Sequence, residues 1–391
     1  MKKFLLNILI LLFSFSSCTI NMQEEITNNK KELFIGTWIN YNEIYELLRD
    51  TRTEDDLISK VDEILDSLLY YKINNLFLHT RAFDDAFYDS NIFPKSKYSH
   101  NASNEFVDVL SIFIDCGHKR NIKIHAWINP FRISNQNDIQ AINQELLSKE
   151  ILSSDLTNER IIISNNGIYY NPIFIENQQY IISGIKEIID NYNVDGIHFD
   201  DYFYPTTKIE IDKSFYEQYC LNGGKIDINN LRRDAVNSLI ASTYSLCKQK
   251  GIIFSISPTE DIDKNYNEYY ADVAKWVNEK GYADYIIPQI YYGFEHETKQ
   301  FEKCIQEWKN LNIKENVLIG IPMYKTGQKD SYALSGENEW LENTDIISRQ
   351  INMILDYGFD GFVYYSASEL YGNSPKSEKE KENILELYNS W

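Results

Sequence analysis

Residues 195–205 read Asp195-Gly196-Ile197-His198-Phe199-Asp200-Asp201-Tyr202-Phe203-Tyr204-Pro205. The Asp-Gly pair predicts a turn, and the apolar residues after it predict a strand that ends in two adjacent carboxylates and several aromatic rings. Because side chains alternate along a strand, His198 and Asp200 should point to one face and Asp201 to the other. Buried unpaired charge is unfavourable, so this strand end predicts a functional site, with a solvated turn as the alternative.

Short β-rich runs of this kind recur along the chain and alternate with amphipathic stretches. The stretch between the first two runs has apolar residues at helical spacing, namely Leu57, Val61, Ile64, Leu65 and Leu68. Strand and helix repeated eight times in one chain predict a parallel (β/α)8 barrel, the TIM-barrel fold of the α/β class. The eight predicted strands are residues 33–38, 75–79, 122–128, 196–200, 252–257, 285–290, 317–321 and 361–365.

Two of the predicted connections are long, and long loops in a compact domain tend to carry function. One follows strand three, from Pro130 to about Glu176, and contains Asn165-Asn166-Gly167 between an Ile-rich and a Tyr-rich run, which predicts a β-hairpin. The other follows strand four, from Tyr202 to about Asn230. Neither connection shows a shift of composition, so both are predicted to belong to the barrel.

The composition bounds the class of partner. The formal net charge is −20, whereas binding to a nucleic-acid backbone needs clustered Lys and Arg, so no nucleic-acid partner is expected. The 29 Tyr suit a sugar-binding cleft, although tyrosine also fills ordinary cores. Neither a zinc cluster nor a disulfide framework is expected, because no Cys-x-x-Cys spacing joins Cys116, Cys220, Cys247 and Cys304. We therefore expect no metal, no cofactor and a monomer.

The N-terminal residues predict export. Met1-Lys2-Lys3 and the apolar run 4–15 have the basic and hydrophobic regions of a secretory signal, predicted over 1–17 and too short for a comfortable membrane span. Phe15-Ser16-Ser17-Cys18 resembles the lipobox of bacterial lipoproteins, in which the cysteine is lipidated; Phe15 stands where Leu is usual, and simple secretion is the alternative. Residues 18–32 are then a polar tether and 33–391 the barrel. The protein is predicted to be a membrane-anchored lipoprotein on the outer side of the cytoplasmic membrane or in the cell envelope.

The strand ends carry acids, amides and aromatic rings, and the C-terminal strand ends are where TIM barrels place their active sites. This combination fits glycoside hydrolysis, in which one carboxyl protonates the leaving oxygen and another stabilises or attacks the sugar cation. Asp200 is the first candidate for the second role, because its strand position is rigid and inward-facing. For the acid, Glu295 comes first, since desolvation by neighbouring aromatic rings would raise its pKa. Glu260 comes second and Asp201 third.

Other strand-end residues are candidates for holding sugar hydroxyls, orienting the carboxylates or stacking on sugar rings. Each could instead be an ordinary core residue. Strand parity supports an inward position for several of them, including Trp127 and Asn129 on strand three and Tyr291 on strand six. The full set of substrate-binding candidates is Arg81, His125, Trp127, Asn129, His198, Tyr202, Gln289, Tyr291, Tyr324 and Tyr365.

Five motifs taken together, and in this order, resemble one protein family. They are Thr80-Arg81-Ala82-Phe83, His125-Ala126-Trp127-Ile128-Asn129-Pro130-Phe131-Arg132, Asn171-Pro172, residues 195–202 and Pro288-Gln289-Ile290-Tyr291. From Leu33 to about Glu369 the chain resembles the bacterial glycosyl-hydrolase-like family 10. The resemblance implies a TIM barrel related to the amylase-like glycosidases, usually exported or lipid-anchored, with members that act on cell-envelope glycans such as peptidoglycan strands lacking stem peptides. The amylase-type pattern has Arg two residues before the strand-four nucleophile, where this chain has His198, so the amylase mechanism is not carried over.

Two other functions remain open at this point. A metal-dependent hydrolase is one, because His79, His125 and His198 lie on three successive strands beside Asp200; against it, the first strand has no His-x-His pair. A lipid-anchored barrel that binds glycans without cleaving them is the other, because its strand ends would look the same. Metal analysis with chelation tests the first alternative, and the substitution Asp200→Asn tests the second.

Overall fold

The structure, a computed structural model, describes residues 32–136, 159–201, 203–311, 313 and 316–391. The chain from Leu33 to Trp391 is one structural unit. Twelve strands occur within the described residues: β1 (Phe34–Ile39), β2 (Asn75–Arg81), β3 (Lys123–Ile128), β4 (Arg132–Ser134), β5 (Ile161–Ser164), β6 (Gly167–Tyr170), β7 (Gly196–Phe199), β8 (Ile253–Ile256), β9 (Tyr285–Ile286), β10 (Asn316–Val317), β11 (Ile319–Ile321) and β12 (Gly361–Tyr364).

Helices pack against the outer face of the strands. Helix Glu54–Tyr70, between β1 and β2, buries all five of the apolar residues predicted for its inner face. The α-helices of the described residues are Tyr41–Arg49, Glu54–Tyr70, Val109–His118, Ile175–Asn191, Lys213–Leu221, Ile228–Gln249, Ile262–Asn267, Val273–Asn278, Phe301–Lys309, Glu339–Glu342, Ile346–Asp356, Ala367–Tyr371 and Glu378–Asn389, and the 3-10 helices are Ile209–Asp212, Met323–Lys325 and Ser331–Gly336.

Eight strand positions close into a barrel. Neighbouring strands follow the order β10-β9-β8-β7-β3-β2-β1-β12-β11, and every pair is parallel. β10 and β11 are two halves of one strand interrupted at Leu318, because β10 pairs with β9 while β11 pairs with β12. Across the interruption, Leu318 N–H donates to Ile286 O at 3.0 Å. Residues 316–321 therefore join the two ends of the sheet, and the predicted (β/α)8 TIM barrel is confirmed.

The sixth strand position is much shorter than predicted. Only Tyr285–Ile286 is regular, where the sequence predicted residues 285–290. Pro288 has no N–H to donate to a ladder, and after it Gln289 makes only isolated bridges to Thr259 and Gly320. The strand therefore gives way early to the irregular chain at the barrel mouth.

The barrel strands are buried on both faces, as expected for a parallel sheet covered by helices. Outward side chains such as Ile197 and Phe199 of β7 join the large core beneath the helices. Inward side chains form a second, smaller core, and His198 contacts the rings of Trp38 and Phe77 within it. The predicted alternation along β7 is therefore correct, with His198 on the inward face.

The Asp195-Gly196 turn sets the position of β7 in the barrel. Asp195 Oδ2 accepts hydrogen bonds from Ile124 N–H and from His118 Nε2, both at 2.8 Å. A Cβ atom on Gly196 would lie 2.0 Å from Nδ1 of His125, so only glycine leaves room for that ring inside the barrel. The turn thereby fixes the register between β3 and β7, and with it the height at which Asp200 emerges.

The long connections predicted after strands three and four are present. After β3, strands β4, β5 and β6 form a separate antiparallel sheet in the order β4-β6-β5, and the predicted hairpin turns at Asn165-Asn166. After β7, helix Lys213–Leu221 precedes helix Ile228–Gln249. A third long connection, residues 82–108 after β2, was not singled out from the sequence.

A buried ion pair anchors the connection after β7. Arg232 Nε donates to Asp212 Oδ2 at 2.6 Å, and Asn171 Nδ2 donates to Asp212 Oδ1 at 2.6 Å. Tyr204 Oη in turn donates to Asn171 Oδ1 at 3.3 Å. Asn171 thus ties the hairpin sheet to the loop that follows the two adjacent aspartates, and such a connected polar network rigidifies what it holds.

Several predictions fall on residues 1–31 and on Tyr202, which lie outside the described residues. The signal segment, lipidation of Cys18, most of the tether and a substrate contact from Tyr202 therefore stay predictions. Within the described ranges, every helix is too short or too polar to cross a bilayer. The thiols of Cys116, Cys220, Cys247 and Cys304 are unpaired.

Candidate active site

A cavity of about 280 Å³, here called the central cavity, opens at the C-terminal mouth of the barrel. Six of the eight strand positions contribute to it, so it lies over the barrel axis. Its walls combine two carboxylates with amide, imidazole, guanidinium and aromatic groups. The lining residues are Trp38, Asn40, Tyr41, Asn42, His79, Trp127, Asn129, Arg132, Asp200, Asp201, Gln289, Tyr291 and Tyr365.

Asp200 directly follows β7 and is only 3% exposed. Trp127 Nε1 donates a hydrogen bond to Asp200 Oδ2 at 3.1 Å. The Trp127 indole is held in turn by stacking on the His79 ring, with centroids 3.8 Å apart and planes 7° from parallel. Asp200 is therefore placed where the sequence predicted it, inward and on a rigid support.

His198 lies beneath Asp200 as a neutral imidazole of one tautomer. Trp38 Nε1 can only donate, so His198 Nε2 accepts that hydrogen bond at 3.1 Å. Nδ1 must then carry the proton and donate to Ser255 Oγ at 2.8 Å. Burial, followed by the nearby His125 and His79 rings, holds the pKa of His198 well below its ordinary value. The position that carries Arg in the amylase-type pattern is thus uncharged in this barrel.

Asp201 lines the central cavity and also a neighbouring cavity of about 270 Å³. We call the second one the hairpin-side cavity, because Asn166 and Tyr169 of the hairpin contribute to it; its other lining residues are Arg132, Asp201, Phe203, Tyr204, Pro205 and Tyr269. Strand parity had placed the two aspartates in different spaces. They instead share the central cavity, because the strand ends at Phe199 and alternation does not extend beyond it, while Asp201 alone of the two also borders the hairpin-side cavity.

The environment of Asp201 favours a protonated carboxyl. Burial raises its pKa to about 6, the charge of Glu260 adds to that effect, and Arg132 and Lys264 oppose it. A carboxyl whose pKa is raised to about 6 keeps its proton in mildly acidic solution and can act as a general acid there. In the sequence Asp201 ranked third for that role, and the geometry favours it over the other two candidates.

Glu260 belongs to a different cavity. This third cavity, of about 480 Å³, is called the lysine-side cavity, and it is lined by Thr259, Glu260, Gln289, Tyr291, Tyr292, His296, Thr298, Lys299, Tyr324, Lys325 and Tyr332. Glu260 Oε1 accepts from Lys299 Nζ at 2.8 Å and from Tyr292 Oη at 3.0 Å, and Oε2 accepts from Thr259 Oγ1 at 2.7 Å. Both oxygens of Glu260 are thus occupied by donors, and Glu260 does not line the central cavity that holds Asp200.

Glu295 does not reach any of these three cavities. Its side chain is exposed, and its backbone N–H donates to Glu339 Oε2 at 2.9 Å. The expected desolvation by neighbouring rings is therefore wrong, because Tyr291 and Tyr292 turn toward the barrel mouth while the chain carries Glu295 away into solvent.

Asn129 and His79 place buried polar atoms at the central cavity. His79 Nε2 pairs with Asn129 Oδ1 at 3.2 Å, and burial holds the pKa of His79 well below its ordinary value. Among the described residues, neither Asn129 Nδ2 nor His79 Nδ1 has a hydrogen-bond partner. The wall of the central cavity therefore contains one amide donor and one imidazole acceptor whose hydrogen-bonding capacity is not used by the described residues.

Three tyrosines form an aromatic wall beside the carboxylates. Tyr291 and Tyr365 stack with centroids 5.6 Å apart at 26°, and Tyr324 meets both rings edge-on at 6.0 and 5.8 Å. Tyr365 lines the central cavity, Tyr324 the lysine-side cavity and Tyr291 both. Gln289, whose Nε2 donates to Ser257 O at 3.0 Å, also lines both. These predicted substrate-binding residues are thus brought together.

Arg81, His125 and His198 are absent from the lining of the three cavities. A β-bulge between His79 and Arg81 shifts the register and turns Arg81 out of the barrel, where its Nη2 donates to the carbonyls of Asn129 and Pro130 at 3.3 and 2.6 Å. His125 lies deeper, bonded to Asn75 Oδ1 at 2.9 Å. These three residues therefore support the residues that line the cavities and do not contact a substrate there.

The three histidines that suggested a metal hydrolase each bond to a different partner. His79 pairs with Asn129, His125 with Asn75, and His198 with Trp38 and Ser255. No group of three or more His, Cys, Asp or Glu side chains among the described residues has the arrangement of a metal site. The geometry therefore does not support that rival.

Sequence reasoning missed the contribution of the first strand. Trp38, Asn40, Tyr41 and Asn42 line the central cavity, yet the strand ends were considered only from strand two onward. The signal was present, since Trp38 ends an inward-facing series that starts at Phe34. Arg132 was quoted in a motif but given no role, although it lines both the central and the hairpin-side cavities.

Comparison with known proteins identifies the family. The model of the family described as glycosyl hydrolase-like 10 matches residues 34–340, most of the chain. The chain belongs to the glycosyl hydrolase-like 10 family. Both the predicted family and, at this level, the prediction of a glycoside hydrolase-type enzyme are confirmed.

Two bacterial relatives and one solved structure show how far the likeness extends. The chain is 28% identical over 340 residues to the glycosyl hydrolase YngK of Bacillus subtilis, an alignment that covers 80% of this chain and 63% of that protein. It is 29% identical over 318 residues to the glycosyl hydrolase DigH of Escherichia coli, covering 74% of this chain and 70% of that protein. The PgaB (BpsB) glycoside hydrolase domain from Bordetella bronchiseptica superposes with a TM-score of 0.56 at 11% identity, over 90% of this chain and 98% of that domain. The last likeness concerns the fold.

Proposed function

We propose that the chain is a glycoside hydrolase that cleaves a bacterial cell-envelope glycan, with peptide-free peptidoglycan strands as the leading candidate substrate. The observation that carries this proposal is the pair Asp200 and Asp201, two carboxyls that line one aromatic-walled cavity at the mouth of a glycosyl hydrolase-like barrel. Their environments differ: Asp200 is buried against an indole N–H, and Asp201 has a pKa raised to about 6. Two carboxyls with separated roles are what glycoside hydrolysis requires.

The two roles follow from these environments. Asp201 donates its proton to the glycosidic oxygen as the bond from that oxygen to the anomeric carbon breaks, and the leaving sugar departs as an alcohol. Asp200 stabilises or attacks the sugar cation that develops at the anomeric carbon. Water then adds its oxygen to the anomeric carbon and, where Asp200 has attacked, breaks the bond between that carbon and the Asp200 carboxylate; the proton that the water releases restores Asp201. The products are two shorter glycans.

The remaining polar groups of the central cavity suit a sugar in this position. Asn129, His79 and Gln289 are polar residues of the cavity wall, and Tyr365 and Trp127 provide aromatic surface. Carbohydrate sites combine such ring faces with a few well-placed polar groups. Burial keeps His79 neutral, so its ring adds no positive charge beside the developing cation of the sugar.

Export and lipid anchoring, inferred from residues 1–31, support an envelope glycan as substrate. We propose that Cys18 carries the lipid. Expression of the full chain in a bacterium, followed by membrane fractionation and mass spectrometry of the N-terminal peptide, tests this. A diacylated Cys18 and loss of membrane association in Cys18→Ser are expected; a cleaved, unmodified N-terminus in the wild type would favour simple secretion.

The substrate is tested with purified protein on intact peptidoglycan, peptide-stripped glycan strands and common polysaccharides, read by mass spectrometry of the products. Shorter saccharides from peptide-stripped strands are expected. Cleavage of a different polysaccharide alone would replace the substrate but keep the activity. Binding without any product across the whole panel would instead favour the glycan-binding barrel.

A further inference from the structure

The three cavities at the barrel mouth are joined through shared walls. Asp201 and Arg132 belong to both the central and the hairpin-side cavity. On the other side, Gln289 and Tyr291 belong to both the central and the lysine-side cavity. The central cavity therefore lies between the other two, and the three together make a cleft that passes over the ends of the strands.

The two carboxyls are distributed unequally along this cleft. Asp200 lines only the central cavity, whereas Asp201 stands at the boundary with the hairpin-side cavity. In glycoside hydrolysis the cation-stabilising carboxyl faces the ring that keeps the anomeric carbon, and the acid faces the oxygen that links this ring to the leaving sugar. The ring that develops the positive charge then lies in the central cavity, and the bond that breaks lies at the boundary with the hairpin-side cavity.

From this arrangement we propose a direction for the substrate, an inference that rests on the proposed function. The hairpin-side cavity takes the leaving sugars, toward the reducing end of the glycan. The lysine-side cavity takes the sugars on the non-reducing side of the cleaved bond. The opposite direction would place Asp200 against the leaving sugar, away from the carbon that it must stabilise. Because sugars are held on both sides, the enzyme cleaves within a chain.

The lysine-side cavity has the chemistry of a sugar subsite. Tyr332 is 84% exposed at its edge, where a large ring without cover can act as a stacking platform. Lys299 Nζ donates to Glu260 at 2.8 Å and to Asp261 at 2.6 Å. An ammonium has three N–H groups, so this one retains a donor for a sugar oxygen. At about 480 Å³ it is the largest of the three cavities.

The hairpin-side cavity presents a different mixture. Tyr169 and Tyr269 supply rings, and Asn166 supplies an exposed amide from the hairpin turn. The Tyr169 hydroxyl donates to Asn166 O at 3.2 Å, which holds the turn against the cavity. The antiparallel sheet of β4, β5 and β6 thereby forms part of the leaving-sugar side.

The test is the position of cleavage in a peptide-stripped peptidoglycan octasaccharide whose reducing end is tagged by borohydride reduction. Mass spectrometry of early products gives the ratio of long to short tagged fragments. Tyr332→Ala weakens the non-reducing side, so cleavage should move toward the non-reducing end and the tagged fragments should lengthen. Tyr269→Ala weakens the leaving side and should shorten them. Loss of one ring contact should change the ratio by about 3- to 10-fold in each case.

Matched variants control for general damage. Tyr70→Ala removes another exposed tyrosine, at the end of the helix that leads into β2 and therefore at the opposite mouth of the barrel. Asn165→Ala removes a residue of the hairpin turn, and Asn165 lines none of the three cavities. The two controls, Tyr70→Ala and Asn165→Ala, should leave the fragment ratio unchanged. If Tyr269→Ala unfolds, Asn166→Ala takes its place as the test variant on the leaving-sugar side.

Opposite shifts in the stated directions support the proposal. Reversed shifts, shifts in the same direction or an unchanged ratio overturn the direction of the cleft while glycan cleavage itself stands. A wild-type protein that cleaves no glycan overturns the proposed function, and the direction falls with it.

Discussion

The ends of β7 and β8 lie side by side and each is followed by two adjacent acids, yet the structure treats the two pairs differently. Glu260 and Asp261, after β8, both bind the ammonium of Lys299 at 2.8 and 2.6 Å. After β7, Asp200 accepts from an uncharged indole, and burial raises the pKa of Asp201. The two acids after β8 therefore share one cation, whereas the two acids after β7 have different environments and can take different roles. Only the second arrangement suits acid catalysis and cation stabilisation.

The largest effect on activity is expected for Asp200→Asn. The substitution keeps the shape but removes the charge that stabilises the sugar cation, so kcat/KM should fall by at least ~10³-fold. Binding of the glycan, measured by calorimetry, should be largely kept. Unchanged cleavage of a substrate that the wild type digests would remove Asp200 from the mechanism.

Asp201→Asn should have the next largest effect, because general acid catalysis contributes about 10²- to 10⁴-fold. The loss should be much smaller for an activated substrate, such as an aryl glycoside with a good leaving group, which needs little protonation. Initial rates on both substrate types provide the measurement. Equal losses on the two would show that Asp201 is not the acid.

The pH dependence of kcat/KM tests the role of Asp201 in variants that keep this residue. Asp201 must be protonated to act and its pKa is about 6, so kcat/KM should fall tenfold per unit above pH 6. Glu260→Gln removes a negative charge that raises this pKa and should move the fall to lower pH. Arg132→Gln removes a positive charge that lowers it and should move the fall to higher pH. Each shift should be on the order of 0.5 unit, and profiles that move together would contradict the assignment.

The raised pKa of Asp201 should also make the thermal stability of the protein depend on pH, with a smaller effect than on activity. The pKa of Asp201 in the folded state, about 6, lies above its unfolded value, so its contribution to stability is present at low pH and is lost as pH rises through 6. Asp201→Asn has no charge to bury, so its Tm should exceed that of the wild type by about 1–3 °C at pH 8. At pH 4 the two values should agree. Calorimetric scans at both pH values decide; a difference of equal size at pH 4 would point to packing.

The smallest effect is expected for Glu295→Gln. Its side chain is exposed and outside the three cavities, so kcat/KM should stay within about 2-fold of the wild type, as for most surface substitutions. Assays on natural and activated substrates serve as the check. A large loss of kcat/KM that is confined to substrates with poor leaving groups would identify Glu295 as the acid and contradict the assignment of Asp201.

Repetition in the sequence was enough to predict the barrel, because parallel strands buried on both faces must be continuous apolar runs. It also placed Asp200, since parity is reliable inside a regular strand. The alternation of side chains no longer predicted their direction where regular strand pairing stops. The bulge after His79 turned Arg81 outward, and the end of β7 at Phe199 allowed Asp201 to join Asp200 in the central cavity.

The choice of the acid could not be made from the sequence, because it depends on groups brought from elsewhere in the chain. Lys299 approaches Glu260 from the segment before helix Phe301–Lys309, and Glu339 binds the backbone at Glu295. Neither contact can be predicted from the residues that neighbour Glu260 or Glu295 in the sequence. The sequence by itself determined the strand order, the rigid site at Asp200 and the aromatic character of the mouth, since these follow from local periodicity. Only the tertiary structure decided which carboxyl keeps a proton, because burial and the charges of distant residues together set a pKa.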